Sequence, residues 1–392
     1  MKIAHLSDLH LGLRQYQRQT QTGINQREAD VANAFRRAVD RIIELQPDVV
    51  LIGGDIFHAV RPGNTAILHA YWQFSKLAQM LPNAVIIIVE GNHDRPRTKE
   101  AGNIIRLFSS LGITVVDTDA KRLSFRDGEL SVLVVPALCK RPRLDPDPAA
   151  RYNVLLIHGL LEGVGRRYGT LGDRPDGDIT LSELMPEKWD YVALGHYHVY
   201  QRVAPAAYYS GSIEYSSTNI WGEVDEQNEK GVPGKGFILH DLASGAHRFE
   251  QIPLARRVVD LPSIQGGGLT ATALSDAICS RVDACDGGID DRVVRLVVSD
   301  VPRHILRDLD HRKIREFKRR ALHFLLDARR PQPVRIEGGA PGRRASLTDT
   351  VRLMLEKREI TPGIDRKTLV DLGLHYLNEA DRLAPAITGD ET

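Results

Sequence analysis

The sequence predicts an α/β domain whose sheets are flanked by helices, followed by a small α+β domain and a C-terminal helical pair. Three observations carry this prediction. Short Val/Ile-rich runs alternate with helical patterns over the first two-thirds of the chain, and several runs are apolar on consecutive residues, as strands covered on both faces are. The texture changes near residue 255. A stretch with three prolines and three glycines, residues 331–345, then sets the last segments apart.

In chain order, strands are expected at 2–6, 48–52, 84–89, 131–135, 154–157 and 191–194. Helices are expected between them at 30–45, 64–81 and 98–111. In the second domain, residues 256–261 and 293–298 read as strands. Residues 311–327 read as one helix with Ile314, Phe317, Ala321, Phe324 and Leu325 on a face. Between Arg303 and Arg330 stand ten Lys/Arg against four Asp/Glu, a local positive excess. After the linker, Ser346 with Asp349 suggests an N-cap for a first short helix, and Asp365 precedes a second. The domain limits are therefore 1–254, 255–330, a linker at 331–345, and a helical pair over 346–382. Helices this short need a surface for their apolar faces.

Composition narrows the class. With 392 residues there is length for a sizeable core, and 42% hydrophobic with 26% charged residues excludes wholesale disorder. The 52 Lys/Arg nearly balance the 51 Asp/Glu, so nucleic-acid binding would have to come from local patches. Three cysteines without a CxxC argue against a disulfide framework or a zinc ribbon and suit a reducing cytoplasm. His5, Asp8 and His10 interrupt the first apolar run, so a signal peptide is not expected. The longest apolar runs are strand-sized, so no membrane span is expected either.

Polar residues gather just after the expected strand ends, where α/β domains commonly carry ligand and catalytic groups. Five segments matter: Ser7-Asp8-Leu9-His10, Gly53-Gly54-Asp55-Ile56-Phe57-His58, Gly91-Asn92-His93-Asp94, Ile157-His158-Gly159 and Gly195-His196-Tyr197-His198. Singly, each reads as a turn, a cap or a buried histidine. Together they supply carboxylate, imidazole and amide donors with no packing role. Such a mixed set suits manganese, iron, cobalt or zinc better than calcium or magnesium. Two divalent ions side by side need an anionic bridge, and Asp55 is its natural source. A site of that kind acidifies water and clamps a phosphate, so phosphoester hydrolysis is the favoured chemistry.

These motifs, in this order, resemble the calcineurin-like metallophosphoesterase superfamily, and more narrowly the SbcD nucleases, which work with the SMC-like ATPase SbcC in bacterial double-strand-break repair. The stretch Asn25-Gln26-Arg27-Glu28 is similar too, and the phosphatase-type Gly-Asp-x-Val-Asp-Arg-Gly is absent. The resemblance implies a four-layer fold, two packed mixed β-sheets flanked by helices, with a capping domain. It implies two divalent ions, manganese foremost. One would be held by Asp8, His10, Asp55 and His198, the other by Asp55, Asn92, His158 and His196. It implies phosphodiester hydrolysis by metal-bound hydroxide, with His93 protonating the leaving 3′ oxygen or stabilising charge. Asp94 would orient His93 or else pair with Arg95, and His58 would help to position DNA. The implied activities are 3′→5′ exonuclease on duplex ends and endonuclease on single strands or hairpins.

Arg27, Lys313, Arg319 and Arg320 are candidate DNA contacts, although the last three also fit the solvated face of a helix. In the family, the helices bearing Leu68, Trp72, Ile104 and Phe108 form a homodimer interface. The C-terminal helical pair would dock on SbcC. Two other functions fit the same motifs: a small-molecule or nucleotide phosphodiesterase, and a noncatalytic DNA-end-binding scaffold.

Overall fold

The computed structural model of the chain describes residues 1–96, 102–164, 179–331, 347–358 and 365–383. Two six-stranded sheets dominate. Sheet one has the order β12-β11-β1-β2-β3-β4: β1 (Lys2–Leu6), β2 (Val49–Ile52), β3 (Val85–Val89) and β4 (Thr114–Val116) run parallel, and β11 (Gly236–Asp241) and β12 (His247–Gln251) close it antiparallel. Sheet two has the order β5-β6-β7-β8-β10-β9. There β6 (Leu130–Val135), β7 (Tyr152–His158), β8 (Tyr191–Gly195) and β10 (Ala207–Tyr209) are parallel. Antiparallel β5 (Lys121–Phe125) and β9 (Gln201–Ala204) form its edges.

Period-two alternation sorts the side chains into layers. Ile3, Val49, Leu51, Ile87 and Val89 of sheet one meet Val132, Val134, Val154, Leu156 and Ala193 of sheet two in a dry core between the sheets. The alternate residues Ala4, Leu6, Val50 and Ile52 face helices α1 (Gln26–Leu45) and α2 (Asn64–Met80). On the far side, Leu133, Leu155, Ile157 and Leu194 pack under Leu161, Leu184 and Trp189. The result is the four-layer α/β arrangement that the resemblance implied. Each buried Leu or Ile contributes about 1.5–3 kcal/mol, so strands covered on both faces are the firmest part of the molecule.

Two segments differ from expectation. The expected helix over 98–111 is, where described, a 3₁₀ helix at Ile104–Leu111, opened by the Asn103 side chain accepting from Ile105 N–H and closed by Gly112; residues 97–101 lie outside the described residues. The expected helix over 311–327 stops at Arg320, and His323–Ala328 is a strand. Apolar spacing there fits both periods. The parallel pairing of Phe324 with Val294 and of Leu326 with Leu296 decides for the strand.

That strand, β15, belongs to a third, all-parallel sheet with β13 (Val258–Gln265) and β14 (Val293–Ser299), joined by helical crossovers and built on its own core of Leu274, Ile278, Leu296, Phe317 and Phe324. It packs on the larger domain through Tyr215, Trp221, Val293 and Leu322. Arg18 also donates to the carbonyls of Arg319 and Ala321 at 2.7 and 2.8 Å, and Tyr16 stacks on His323. Residues Met1–Pro331 form one compact unit.

The C-terminal helices Leu347–Lys357 and Arg366–Leu383 form a separate unit. Asp365 caps the second helix by accepting from Thr368 N–H at 2.8 Å, and Gly373 lies against Leu355. Leu347, Met354, Leu372 and Tyr376 are exposed. Ser346 and most of the expected linker lie outside the described residues. No helix among the described residues is long and apolar enough to cross a membrane.

Candidate metal centre

Five parallel strands end at one place. β1 delivers Asp8 and His10, β2 delivers Asp55, β3 delivers Asn92 and His93, β7 ends on His158, and β8 runs into His196 and His198. The loops are laced side by side: Asp8 N–H donates to the Gly54 carbonyl at 3.0 Å, and His10 N–H to that of Asp55 at 2.9 Å. Two glycines allow the crowding. A Cβ on Gly91 would fall on the Asp55 carboxylate, and one on Gly195 would strike the Gly53 carbonyl across the gap between the sheets. Asp8, His10, Asp55 and His196 all have positive φ, at 54°, 46°, 52° and 104°. Such backbone costs about 1–3 kcal/mol per residue and concentrates at functional sites.

The expected ligands form two clusters, Asp8/His10/His198 and Asp55/His158/His196, and His10 also groups with His58 and His93. In the first, His10 Nε2 stands 3.1 Å from His198 Nε2, and His198 Nε2 stands 3.9 Å from Asp8 Oδ1. In the second, Asn92 Oδ1 lies 2.9 Å from both His158 Nε2 and His196 Nδ1. Asp55 Oδ2 lies between the clusters, 3.8 Å from His10 Nε2 and 3.7 Å from His158 Nε2. All seven expected ligands therefore meet in one pocket.

The donor chemistry fits cations. His158 Nδ1 is 2.6 Å from the Gly53 carbonyl, which only accepts, so the ring proton sits on Nδ1. With that nitrogen alone protonated, Nε2 turns its lone pair toward the Asn92 amide oxygen 2.9 Å away, an arrangement that a cation between lone pairs relieves. Burial holds His10 and His198 well below the ordinary imidazole range, with neighbouring His198 and Lys235, respectively, adding to the effect. Both therefore present unprotonated nitrogens at neutral pH. Burial likewise pushes the Asp8 carboxyl up. Nitrogen and oxygen donors in this mixture suit manganese, iron, cobalt or zinc.

Beside the clusters, His93 Nδ1 donates to the His58 carbonyl at 2.8 Å, which leaves Nε2 for proton traffic; its ring lies edge-on to His10 at 4.9 Å. His58 stands with Nδ1 3.4 Å from His10 Nδ1 and its ring stacked on His93. Asp94 corrects its expected role. It neither touches His93 nor pairs with Arg95; its carboxylate accepts the N–H groups of Ile56, Phe57 and Gly91 at 3.0–3.1 Å. Arg95 instead donates to the Ala137 carbonyl and faces Glu90.

Arg27 is corrected as a DNA contact. It is 1% exposed, ion-paired to Asp30 and Glu214, and donates to the Tyr215 carbonyl at 2.8 Å. Lys313 pairs with Glu316 and Arg320 grips Asp290 through both oxygens, while Arg319 is exposed. Phe108 is corrected as an interface residue: it is fully buried, 4.6 Å centroid to centroid from Phe74. Ile104 is half-buried against the same core, whereas Leu68 and Trp72 are 51% and 64% exposed.

Sequence reasoning missed the polar segment after β10. Ser7 Oγ donates to Asp8 at 2.5 Å and meets Ser210 Oγ at 2.8 Å, and Ser212 touches the His198 carbonyl. Ser-Gly-Ser-Ile has no ligand-type residue to draw notice, so only the fold reveals it.

Residues 1–216 match the calcineurin-like phosphoesterase family, and the chain belongs to it. Its relatives are more particular. It is 28% identical to a protein named "DNA double-strand break repair protein Mre11" from Methanopyrus kandleri, over 66% of this chain and 58% of that one. Proteins of the same name from Methanocaldococcus jannaschii (29%, over 62% and 63%) and Thermoplasma acidophilum (28%, over 64% of each) are similarly related. The match spans about three-fifths of the length of these relatives.

Proposed function

We propose that the chain is the nuclease subunit of a DNA double-strand-break repair complex of the Mre11/SbcD kind. The observation that carries this is the placement of Asp55 between two buried clusters of metal-type donors, in a chain whose relatives bear a break-repair name. Asp8, His10, Asp55 and His198 would hold one divalent ion, and Asp55, Asn92, His158 and His196 the other, with manganese the expected metal. When bound, the ion pair supplies Lewis acidity and positive charge for phosphodiester hydrolysis. Asp55, fixed by the His93 N–H at 2.8 Å, sets the spacing of the two sites. His93 in its doubly protonated form, with Nδ1–H held by the His58 carbonyl, would give the Nε2 proton to the departing 3′ oxygen and be left as the neutral ring. His58 keeps both His10 and His93 in place.

The activity is 3′→5′ exonuclease on duplex ends and endonuclease on single strands and hairpins, a polarity that rests on the resemblance. Residues 1–254 carry the chemistry and 255–330 cap it, with Arg319 as its exposed cation toward DNA. The exposed Leu68 and Trp72 serve a homodimer, and the helical pair beyond the linker docks on the SMC-like ATPase, SbcC in the bacterial form. A cytoplasmic location follows from this reading.

One gel tests it: labelled hairpin and blunt duplex DNA with manganese, magnesium or EDTA, comparing wild type with His93→Ala and Asp55→Ala. Manganese-dependent cleavage lost in both variants supports the nuclease. Cleavage of bis-p-nitrophenyl phosphate with intact duplex DNA would favour a small-molecule phosphodiesterase.

A further inference from the structure

The first cluster draws its ligands from two sheets. Asp8 and His10 follow β1 of sheet one, and His198 lies in the turn after β8 of sheet two. Those groups must keep register to within about 0.5 Å to share an ion. The carbonyl of His198 is gripped at two points, by Lys235 Nζ at 2.8 Å and Ser212 N–H at 3.1 Å, while the Ser212 hydroxyl donates to the Glu214 carbonyl at 2.7 Å. Lys235 stands directly before β11, the strand that pairs with β1. It therefore ties the His198 turn to the sheet that bears the other two ligands.

Lys235 is also an unusual residue to bury. Its side chain is 2% exposed and ion-paired with Glu223, 3% exposed; Nζ donates further to Ser212 Oγ at 3.1 Å and lies 4.7 Å from the Tyr215 ring centre. Glu223 in turn accepts from Ser217 Oγ at 2.7 Å. Desolvating two charges offsets most of what their attraction returns, and apolar residues would fill the same volume at no such cost. Fold stability alone does not account for the pair.

We propose that Lys235 and Glu223 are a positioning pair for His198, setting the affinity of the Asp8/His10/His198 site while leaving the Asp55/His158/His196 site alone. This rests on reading the two clusters as ion sites. Residues that orient metal ligands change affinity by roughly 10–100-fold when lost.

The test is manganese uptake by the full chain, by calorimetric titration and by electron paramagnetic resonance. Because a single substitution would strand a buried charge, the variant is Lys235→Met with Glu223→Gln. The expected result is two ions on wild type, and on the variant one ion at unchanged affinity with the other weakened at least tenfold. The coupled two-ion spectrum would give way to the six-line signal of isolated Mn²⁺. Two ions at wild-type affinities, even with a lower melting temperature, would make the pair merely structural and overturn the proposal. If the double variant does not fold, Ser212→Ala removes the hydroxyl that accepts from Lys235 and so loosens the lysine's hold on His198 without unpairing a charge. It should weaken the same site, and unchanged affinity overturns the proposal equally. Wild-type protein that takes up no pair of ions overturns both readings.

Discussion

His10 Nε2 and His198 Nε2 face each other across 3.1 Å, though they follow strands of different sheets. His10 is buried and His198 half-buried, and both are held neutral, so the contact brings together two nitrogens of the kind that bind cations. Manganese should therefore stabilise the fold. At a free concentration one hundred times Kd, each ion site adds about 2.7 kcal/mol. Thermal melts in MnCl₂ and in EDTA should differ by several degrees, and Asp55→Asn should erase most of the difference. Equal melting temperatures for wild type would contradict the site.

His93→Ala should keep both ions, because the His93 backbone N–H that holds Asp55 is retained in alanine. DNA cleavage should fall by about 10²–10⁴-fold, the usual worth of a positioned acid. Bis-p-nitrophenyl phosphate, whose leaving group needs no proton, should be cleaved with a much smaller loss. Equal losses on both substrates would remove His93 as the acid.

Asp94→Ala strands three buried N–H groups, those of Ile56, Phe57 and Gly91. Each unsatisfied group costs about 1–3 kcal/mol. Urea denaturation of metal-free protein should show a loss of at least 2 kcal/mol, with manganese binding weakened as the Asp55 loop loosens. A variant as stable as wild type would show that this carboxylate is not what holds the loop.

Acid should unfold the protein early. Burial, helped by His247, drives His5 down to about 3, and burial, helped by His240, drives His247 down to about 4. Unfolded histidines titrate near 6.5. Between pH 6.5 and about 3, the unfolded chain binds protons that the native state refuses, so stability is full above 6.5 and declines as pH drops. For His5 the loss from pH 6.5 to 5 is about 2 kcal/mol. His5→Gln in EDTA should show a shallower decline than wild type, and parallel curves would exclude His5.

Leu68→Asp with Trp72→Asp should halve the mass seen by light scattering without loss of metal, since both side chains are exposed. Phe108→Asp should instead unfold the domain, because it buries a charge against Phe57 and Phe74. An unchanged mass in the double variant would end the homodimer proposal.

The convergence of the candidate ligands was legible because each motif is local: a strand end followed at once by Asp, His or Asn. Arg27 was not, since a basic residue opening a helix looks solvent-facing until Glu214 and Tyr215 arrive from far along the chain. The segment 311–327 misled because Phe324 and Leu325 satisfy helical spacing as well as the strand that β14 imposes. Asp94 was misjudged by proximity; adjacency to His93 and Arg95 counted for less than two backbone donors from the loop after β2 and one from its own. Lys235 and Glu223 carry no sequence signal, as their meaning lies in a contact between sheets.

The place of β1 has a consequence for biosynthesis. Ala4 pairs with Val50 on one side and with Leu239 on the other, so β1 waits for its second neighbour until residue 239 has left the ribosome. At roughly 5–20 residues per second, that interval is about 10–50 s. A nascent chain passes it with one flank of its first strand bare and its cation pocket unfinished.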